Sequence, residues 1–138
     1  MSPIPVGAKG TYTLRVTPAH LANQFKDAAL PPVFATPMMI TAMENAALNA
    51  VRSYLGPGES AVGTAVNVRH LAATPVSHRV TAEAEVTKVD GRRIEFKVTA
   101  RDEVELNRLA DDLVDVIDKT MQPAQITLWL RPNAPLQD

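Results

Sequence analysis

The chain has 138 residues, with 14 Lys and Arg against 15 Asp and Glu, and this net charge of −1 excludes the electrostatic footprint of a nucleic-acid or acidic-membrane binder. It has no cysteine, which excludes disulfides and thiolate metal sites. The length predicts one domain with its own core, and the absence of a signal-peptide core or of an apolar run of about 20 residues predicts a cytoplasmic protein without a membrane span.

The first predicted element is a strand. Residues 11–17 alternate between apolar and polar side chains, a period of two that is typical of a half-buried strand, and Pro18 is expected to end it. The segment 18–33 is interpreted as an irregular connection with one short turn or helix.

The longest regular pattern runs from Phe34 to Leu55 and predicts one long helix. Thr36 is the expected N-cap, and Pro37 takes the first helical position, where proline is tolerated. Apolar side chains fall on nearly every side of this helix, which is typical of a buried helix. The polar side chains share one quadrant, and they are Thr41, Asn45, Asn49 and Arg52.

Glu44 lies outside that polar quadrant and is predicted to project between Ile40, Leu48 and Val51. An ionised carboxylate in such surroundings is costly unless a partner offsets the lost hydration. Either the side chain extends to a surface edge or it has a functional role, and the functional interpretation is favoured.

The sequence predicts three antiparallel strands after the helix, which stops at the turn signal 56–58. The first spans 60–74, and the next two, 79–89 and 92–101, form a hairpin around Asp90-Gly91 with clean alternation. The apolar face of such a sheet needs a cover, and the long helix is the only large apolar element available. We therefore predict an α+β domain in which an antiparallel sheet wraps around a long central helix.

His70 and Gly63 on the first of these strands are further candidate site residues. A lone His on an apolar face is more often a satisfied core residue, but a buried His together with buried Glu44 could move a proton near neutral pH. Gly63 either lets a ligand approach the backbone or marks a β-bulge. Thr36 and Glu44 are eight residues apart, a helical rise of ~12 Å. They can serve one site only if the substrate lies between them or a second subunit brings its copy near.

Several short motifs, taken together in their order and spacing, resemble the hot-dog-fold acyl-CoA thioesterases, in the branch of the fluoroacetyl-CoA thioesterase. The resemblance covers residues 1–103 and rests on Phe34-Ala35-Thr36, Met43-Glu44, Gly63-Thr64-Ala65, Val68-x-His70, Ala73-Thr74-Pro75 and Asp90-Gly91-Arg92.

This resemblance implies a homodimer whose sheets join edge to edge, an acyl-CoA substrate, and hydrolysis of its thioester. It implies catalytic roles for Thr36, Glu44 and His70, and it places Gly63, Phe34 and Leu30 at the substrate. It implies no metal and no cofactor other than the CoA of the substrate. Glu44 could attack the thioester directly or act as a base for water, and the sequence does not separate the two mechanisms.

Two departures from the family pattern affect the expected specificity. In the fluoroacetyl-specific branch, phenylalanines form a lid in the loop before the helix, where this chain has Asp27 and Leu30, so a general short-chain acyl-CoA is expected. The Gly-x-x-x-x-Arg-like segment of the last strand is also missing.

A non-catalytic acyl-CoA or small-ligand binding protein is therefore the main alternative. A hydratase of the same fold, for which no suitable Asp–His pair is found, and a structural dimer module rank lower.

The C-terminal part, residues 104–138, is expected to differ from the family domain of residues 1–103 while packing on it. Residues 103–121 carry an apolar seam at three- and four-residue spacing, which predicts an amphipathic helix. Residues 124–130 alternate weakly and could supply a last strand, with Trp129 on one face and three apolar side chains on the other, namely Ile126, Leu128 and Leu130.

Overall fold

The computed structural model describes residues 3–103 and 124–131. Five strands form one antiparallel sheet in the order β1-β3-β4-β5-β2, and a long helix, α2, packs against one face of it. The elements are β1 (Lys9–Arg15), a 3-10 turn (Pro18–His20), α1 (Ala22–Phe25), α2 (Thr36–Val51), a second 3-10 turn (Arg52–Tyr54), β2 (Ser60–Asn67), β3 (Arg79–Asp90), β4 (Arg93–Asp102) and β5 (Ala124–Arg131). The predicted α+β class and central helix are confirmed.

The core lies between α2 and the inner face of the sheet. Most inward side chains of β3, β4 and β5 are at most 3% exposed, and these are Val80, Ala82, Ala84, Val86, Ile94, Phe96, Val98, Ala124, Ile126, Leu128 and Leu130, while Ala100 near the end of β4 is half-buried. Small residues bring the helix close to the sheet: a Cβ at Gly10 on β1 would overlap the backbone of Ala50 on α2. Asn49 of α2 also donates a 2.8 Å hydrogen bond to the carbonyl of Thr11, which fixes the helix against β1.

β5 lies between β4 and β2 and completes the sheet. Its apolar residues face the core as the alternation predicts, while Trp129 is 45% exposed on the opposite face.

The amphipathic helix predicted over 103–121 lies, apart from Glu103, outside the described residues. None of the helices in the described part of the chain is long and apolar enough to cross a membrane.

The start and the end of α2 differ from the prediction. Ala35 is the N-cap and Thr36 is the first helical residue, so the prediction that Thr36 caps the helix is wrong. Its hydroxyl is hydrogen-bonded to a distant loop instead. The helix ends at Val51, and the next residues tighten into a 3-10 turn before the chain reaches Gly56-Pro57.

β2 is shorter than predicted and its faces change along its length. It ends at Asn67, which is paired with Gln125 of β5, its partner among residues 3–103 and 124–131, so His70 lies on a loop rather than on a strand. The register shifts by one residue between Gly63 and Ala65. Uninterrupted alternation along this strand, as the sequence predicts it, would place Val62 and Val66 on one face. That prediction is wrong, because the bulge places Val66 opposite the core residue Ile126 while Val62 lies opposite Trp129.

Candidate active site

The start of α2 and the loop after β2 meet through one side-chain hydrogen bond. Thr36 Oγ1 lies 2.8 Å from Nδ1 of His70. Backbone bonds fix the approach to the helix, because the N–H of Phe34 donates to the carbonyl of Thr74 at 2.8 Å and the N–H of Ala35 to that of His20 at 2.9 Å. Residues 34 apart in sequence are thereby held as a hydroxyl–imidazole pair.

The environment of His70 favours its neutral form. Burial lowers the pKa of the imidazole below its ordinary value, because the charged form loses hydration, and a backbone hydrogen bond with Ala72 opposes this only in part. Near pH 7 the ring is therefore uncharged and can accept a proton from the Thr36 hydroxyl or from water.

This pair borders a cavity of about 350 Å³. Phe34, predicted to contact substrate, forms part of its wall and is 1% exposed, whereas Leu30, also predicted, is 37% exposed. Apart from the pair, the lining is mostly apolar and includes Ala22, Pro31, Val33, Ala35, Leu71, Ala72 and Ala73. The cavity could hold an acyl group against the hydroxyl–imidazole pair.

Glu44 and Gly63 lie together at a second cavity of about 200 Å³, which Thr41, Leu48 and other residues also line. A Cβ on Gly63 would lie 3.1 Å from Oε2 of Glu44, closer than side chains normally pack. Gly63 lies at the β-bulge, one of the two alternatives suggested by the sequence, and the group that approaches it closely in the structure is the Glu44 carboxylate. Its predicted contact with a ligand stays a prediction. Glu44 is half-buried and lines this cavity with Leu48, but also with Thr41 and Asn45 of the polar quadrant, so it is less enclosed by apolar side chains than the helical pattern predicts.

Within one chain the structure does not bring all candidate residues together. Thr36, His70, Phe34 and Leu30 line one cavity, and Glu44 lines the other with Gly63, eight residues further along α2 than Thr36.

One cavity residue was not found from the sequence. Lys26 borders the cavity that holds the hydroxyl–imidazole pair, but it lies in the irregular segment, where no periodicity assigns a face. In residues 3–103 and 124–131 no cluster of three or more His, Asp or Glu side chains could hold a metal ion.

Comparisons with known proteins identify relatives of this chain. The sequence model of the family described as fluoroacetyl-CoA-specific thioesterase matches residues 16–107. The fluoroacetyl-CoA thioesterase of Streptantibioticus cattleyicolor is 42% identical over 105 residues, which are 72% of this chain and 76% of that protein.

Solved structures show the same architecture. A structure of the fluoroacetyl-CoA thioesterase superposes with a TM-score of 0.77 at 31% identity, covering 94% of this chain and 90% of the other. A Thermus thermophilus hypothetical protein of the thioesterase superfamily gives a TM-score of 0.77 at 26% identity, covering 96% and 88%. The hot-dog fold implied by the sequence motifs is confirmed.

Proposed function

Because the chain belongs to the fluoroacetyl-CoA-specific thioesterase family, we propose that it hydrolyses a short-chain acyl-CoA to the free acid and CoA. The observation that carries this proposal is the 2.8 Å contact between Thr36 and a neutral His70 at the edge of an apolar cavity. Leu30 borders the cavity and is smaller than phenylalanine and not aromatic. This supports a general short-chain substrate rather than a strict preference for fluoroacetyl-CoA. The reaction needs no cofactor besides the CoA of the substrate.

We further propose that the protein is a homodimer joined through β2. This strand forms one edge of the sheet, and all of its residues except Ala61 are exposed. The side chains of Val62 and Val66 on this strand are 44% and 37% exposed. Unpaired edge strands with exposed apolar side chains tend to pair with another chain. A second copy of β2 paired antiparallel would cover both.

Such a dimer supports a composite active site. In an antiparallel β2 pair, the carboxyl-terminal end of one strand lies beside the amino-terminal half of the other. His70 follows the end of β2 by three residues, and Gly63 lies in its first half. The dimer would thus bring Thr36 and His70 of one subunit towards Glu44 and Gly63 of its partner.

The proposed reaction divides the chemistry between these groups. In one route the Glu44 carboxylate attacks the thioester carbonyl and CoA departs as the thiolate; neutral His70, coupled to the Thr36 hydroxyl, then takes a proton from the water that hydrolyses the acyl–Glu44 anhydride and passes it to the CoA sulfur. In the other route Glu44 removes the proton from the water that attacks the carbonyl, and this proton reaches the departing CoA sulfur through His70.

The developing oxyanion needs a hydrogen-bond donor. Pro37 has no N–H, and those of Met38 and Met39 bond to the carbonyl of Ala35. The N–H of Thr36, at the positive end of α2, is the remaining donor of the first turn and is assigned to the oxyanion together with the backbone near Gly63.

Thiol release from acetyl-, propionyl- and fluoroacetyl-CoA tests the activity, with Glu44→Gln as the matched variant. Glu44→Gln should lower turnover by at least about 100-fold, while circular dichroism and light scattering show an intact dimer. Glu103→Gln, which removes a carboxylate outside both cavities, is the control and should stay near wild type.

No thiol release by the wild type from any of these substrates, combined with CoA binding in calorimetry, would instead identify a non-catalytic binding protein. Near-normal turnover of Glu44→Gln would remove Glu44 from the mechanism.

A further inference from the structure

The cavity beside the hydroxyl–imidazole pair is bordered by the exposed side chain of a lysine, Lys26. Lys26 follows α1 directly, and its N–H donates to the carbonyl of Ala22 at 3.0 Å, which fixes its backbone at the cavity. Among residues 3–103 and 124–131 its ammonium group forms no ion pair. The neighbouring carboxylate of Asp27 accepts a 2.8 Å hydrogen bond from the N–H of Ala29 and so stabilises the local turn.

Lys26 therefore sets the charge of this cavity. The other titratable side chain among the described lining residues is His70, whose lowered pKa keeps it uncharged near neutral pH. The remaining described lining consists of apolar side chains and the Thr36 hydroxyl. A cation at a cavity with low-dielectric walls concentrates anions and orients them more strongly than the same charge on an open surface.

We propose that Lys26 is a specificity-determining residue that binds an anionic oxygen group of the substrate. The proposal rests on the thioesterase function, because it requires the acyl thioester to occupy this cavity. Two parts of an acyl-CoA supply such a group: a carboxylate at the end of the acyl chain, or a phosphate of CoA.

The two sources differ in their distance from the reacting carbonyl. The cavity would be about 9 Å across if it were a sphere, so a carboxylate a few bonds beyond the carbonyl fits inside it with the thioester. The arm that joins the CoA sulfur to the nearest phosphate has about as many backbone bonds as four extended residues, roughly 14 Å. A phosphate would therefore reach Lys26 from outside the cavity, through its opening.

A two-by-two set of substrates separates these sources: acetyl and succinyl thioesters, each made with CoA and with N-acetylcysteamine, which has no phosphate. Lys26→Gln should lower kcat/KM roughly tenfold, the effect of losing a partly exposed charged hydrogen bond. The loss falls on both succinyl thioesters if the group is the acyl carboxylate, and on both CoA thioesters if it is a phosphate. Lys26→Arg should retain most of the activity.

Lys88→Gln is the control for net charge, because Lys88 lies at the hairpin end of β3 and outside both cavities. Lys26→Gln with unchanged kcat/KM for all four substrates, or with an equal loss for all four, would overturn the proposal while leaving the thioesterase function in place. A wild-type protein inactive on all four thioesters, and on the fluoroacetyl- and propionyl-CoA of the first assay, would instead overturn the thioesterase function itself.

Discussion

Replacing Thr36 with valine removes the hydroxyl that contacts His70 and keeps a β-branched side chain of nearly the same volume. Thr36 is the first residue of α2 and not its cap, and its hydroxyl lies 2.8 Å from Nδ1 of His70. The substitution therefore leaves the helix start intact. The expected loss in the free energy of unfolding is that of one side-chain hydrogen bond, about 1 kcal/mol.

A double-mutant cycle with His70→Gln separates this contact from a capping effect. If the hydroxyl stabilises the protein through the imidazole, the two substitutions are coupled by about 1 kcal/mol. A cap would give no coupling, because its partner is the helix backbone. Urea unfolding of the wild type, both single variants and the double variant measures this coupling energy.

The same four proteins test the catalytic unit. Thr36→Val should lower kcat by about 100-fold or more, and the double variant should be no slower than the slower single variant, because residues that act as a unit are not additive. Thiol release from acetyl-CoA provides the assay. A Thr36→Val enzyme within twofold of wild type, or losses that multiply in the double variant, would refute the reasoning.

Three further predictions concern proton transfer, the second cavity and the core. Because burial lowers the pKa of His70, kcat/KM should fall only at pH values below 6.5, the ordinary pKa of histidine. The stability that neutral His70 contributes should be complete above pH 6.5 and should be lost as the pH falls through the lower pKa of His70 in the folded protein. Gly63→Ala should slow turnover more than about tenfold with little change in stability, because its Cβ would displace the Glu44 carboxylate 3.1 Å away. Gly10→Ala should destabilise the fold by about 2–3 kcal/mol, lowering Tm by roughly 5–10 °C, because its Cβ overlaps the backbone of Ala50.

Each of these predictions has a result that contradicts it. An acidic limb centred above pH 6.5, or one that persists in His70→Gln, would assign the titration to another group. Ala65→Ser, on the same strand as Gly63, is the control for β2, and an equal effect of the two substitutions would mean that Gly63 acts through the strand rather than through Glu44. A Gly10→Ala protein with the same Tm as the wild type would show that α2 can move away from β1 at little cost in stability.

Side-chain alternation was enough to predict which residues of the β3–β4 hairpin and of β5 face the core. In these strands each inward position is filled by an apolar residue and each strand lies between two neighbours, so a local period of two determines burial. The burial of α2 followed from its apolar residues in the same way. These features depend on local sequence.

The misassigned features depend on contacts between distant parts of the chain. Threonine is a residue type that commonly caps helices, but the hydroxyl of Thr36 is hydrogen-bonded to His70, on a loop 34 residues away. The face of Val66 depends on a bulge whose register is set by β5, about 60 residues later. The position of Lys26 at a cavity follows from the fold of an irregular segment, for which periodicity carries no information.

The central claim is that Glu44 of one subunit completes the site formed by Thr36 and His70 of the other, and mixing two inactive variants tests it most directly. Glu44→Gln and His70→Gln proteins are unfolded together, refolded as a mixture and assayed for thiol release. A composite site predicts that each mixed dimer regains one intact site, so the mixture recovers about one quarter of wild-type activity. A refolded mixture that contains mixed dimers but stays as inactive as either variant alone would contradict the account.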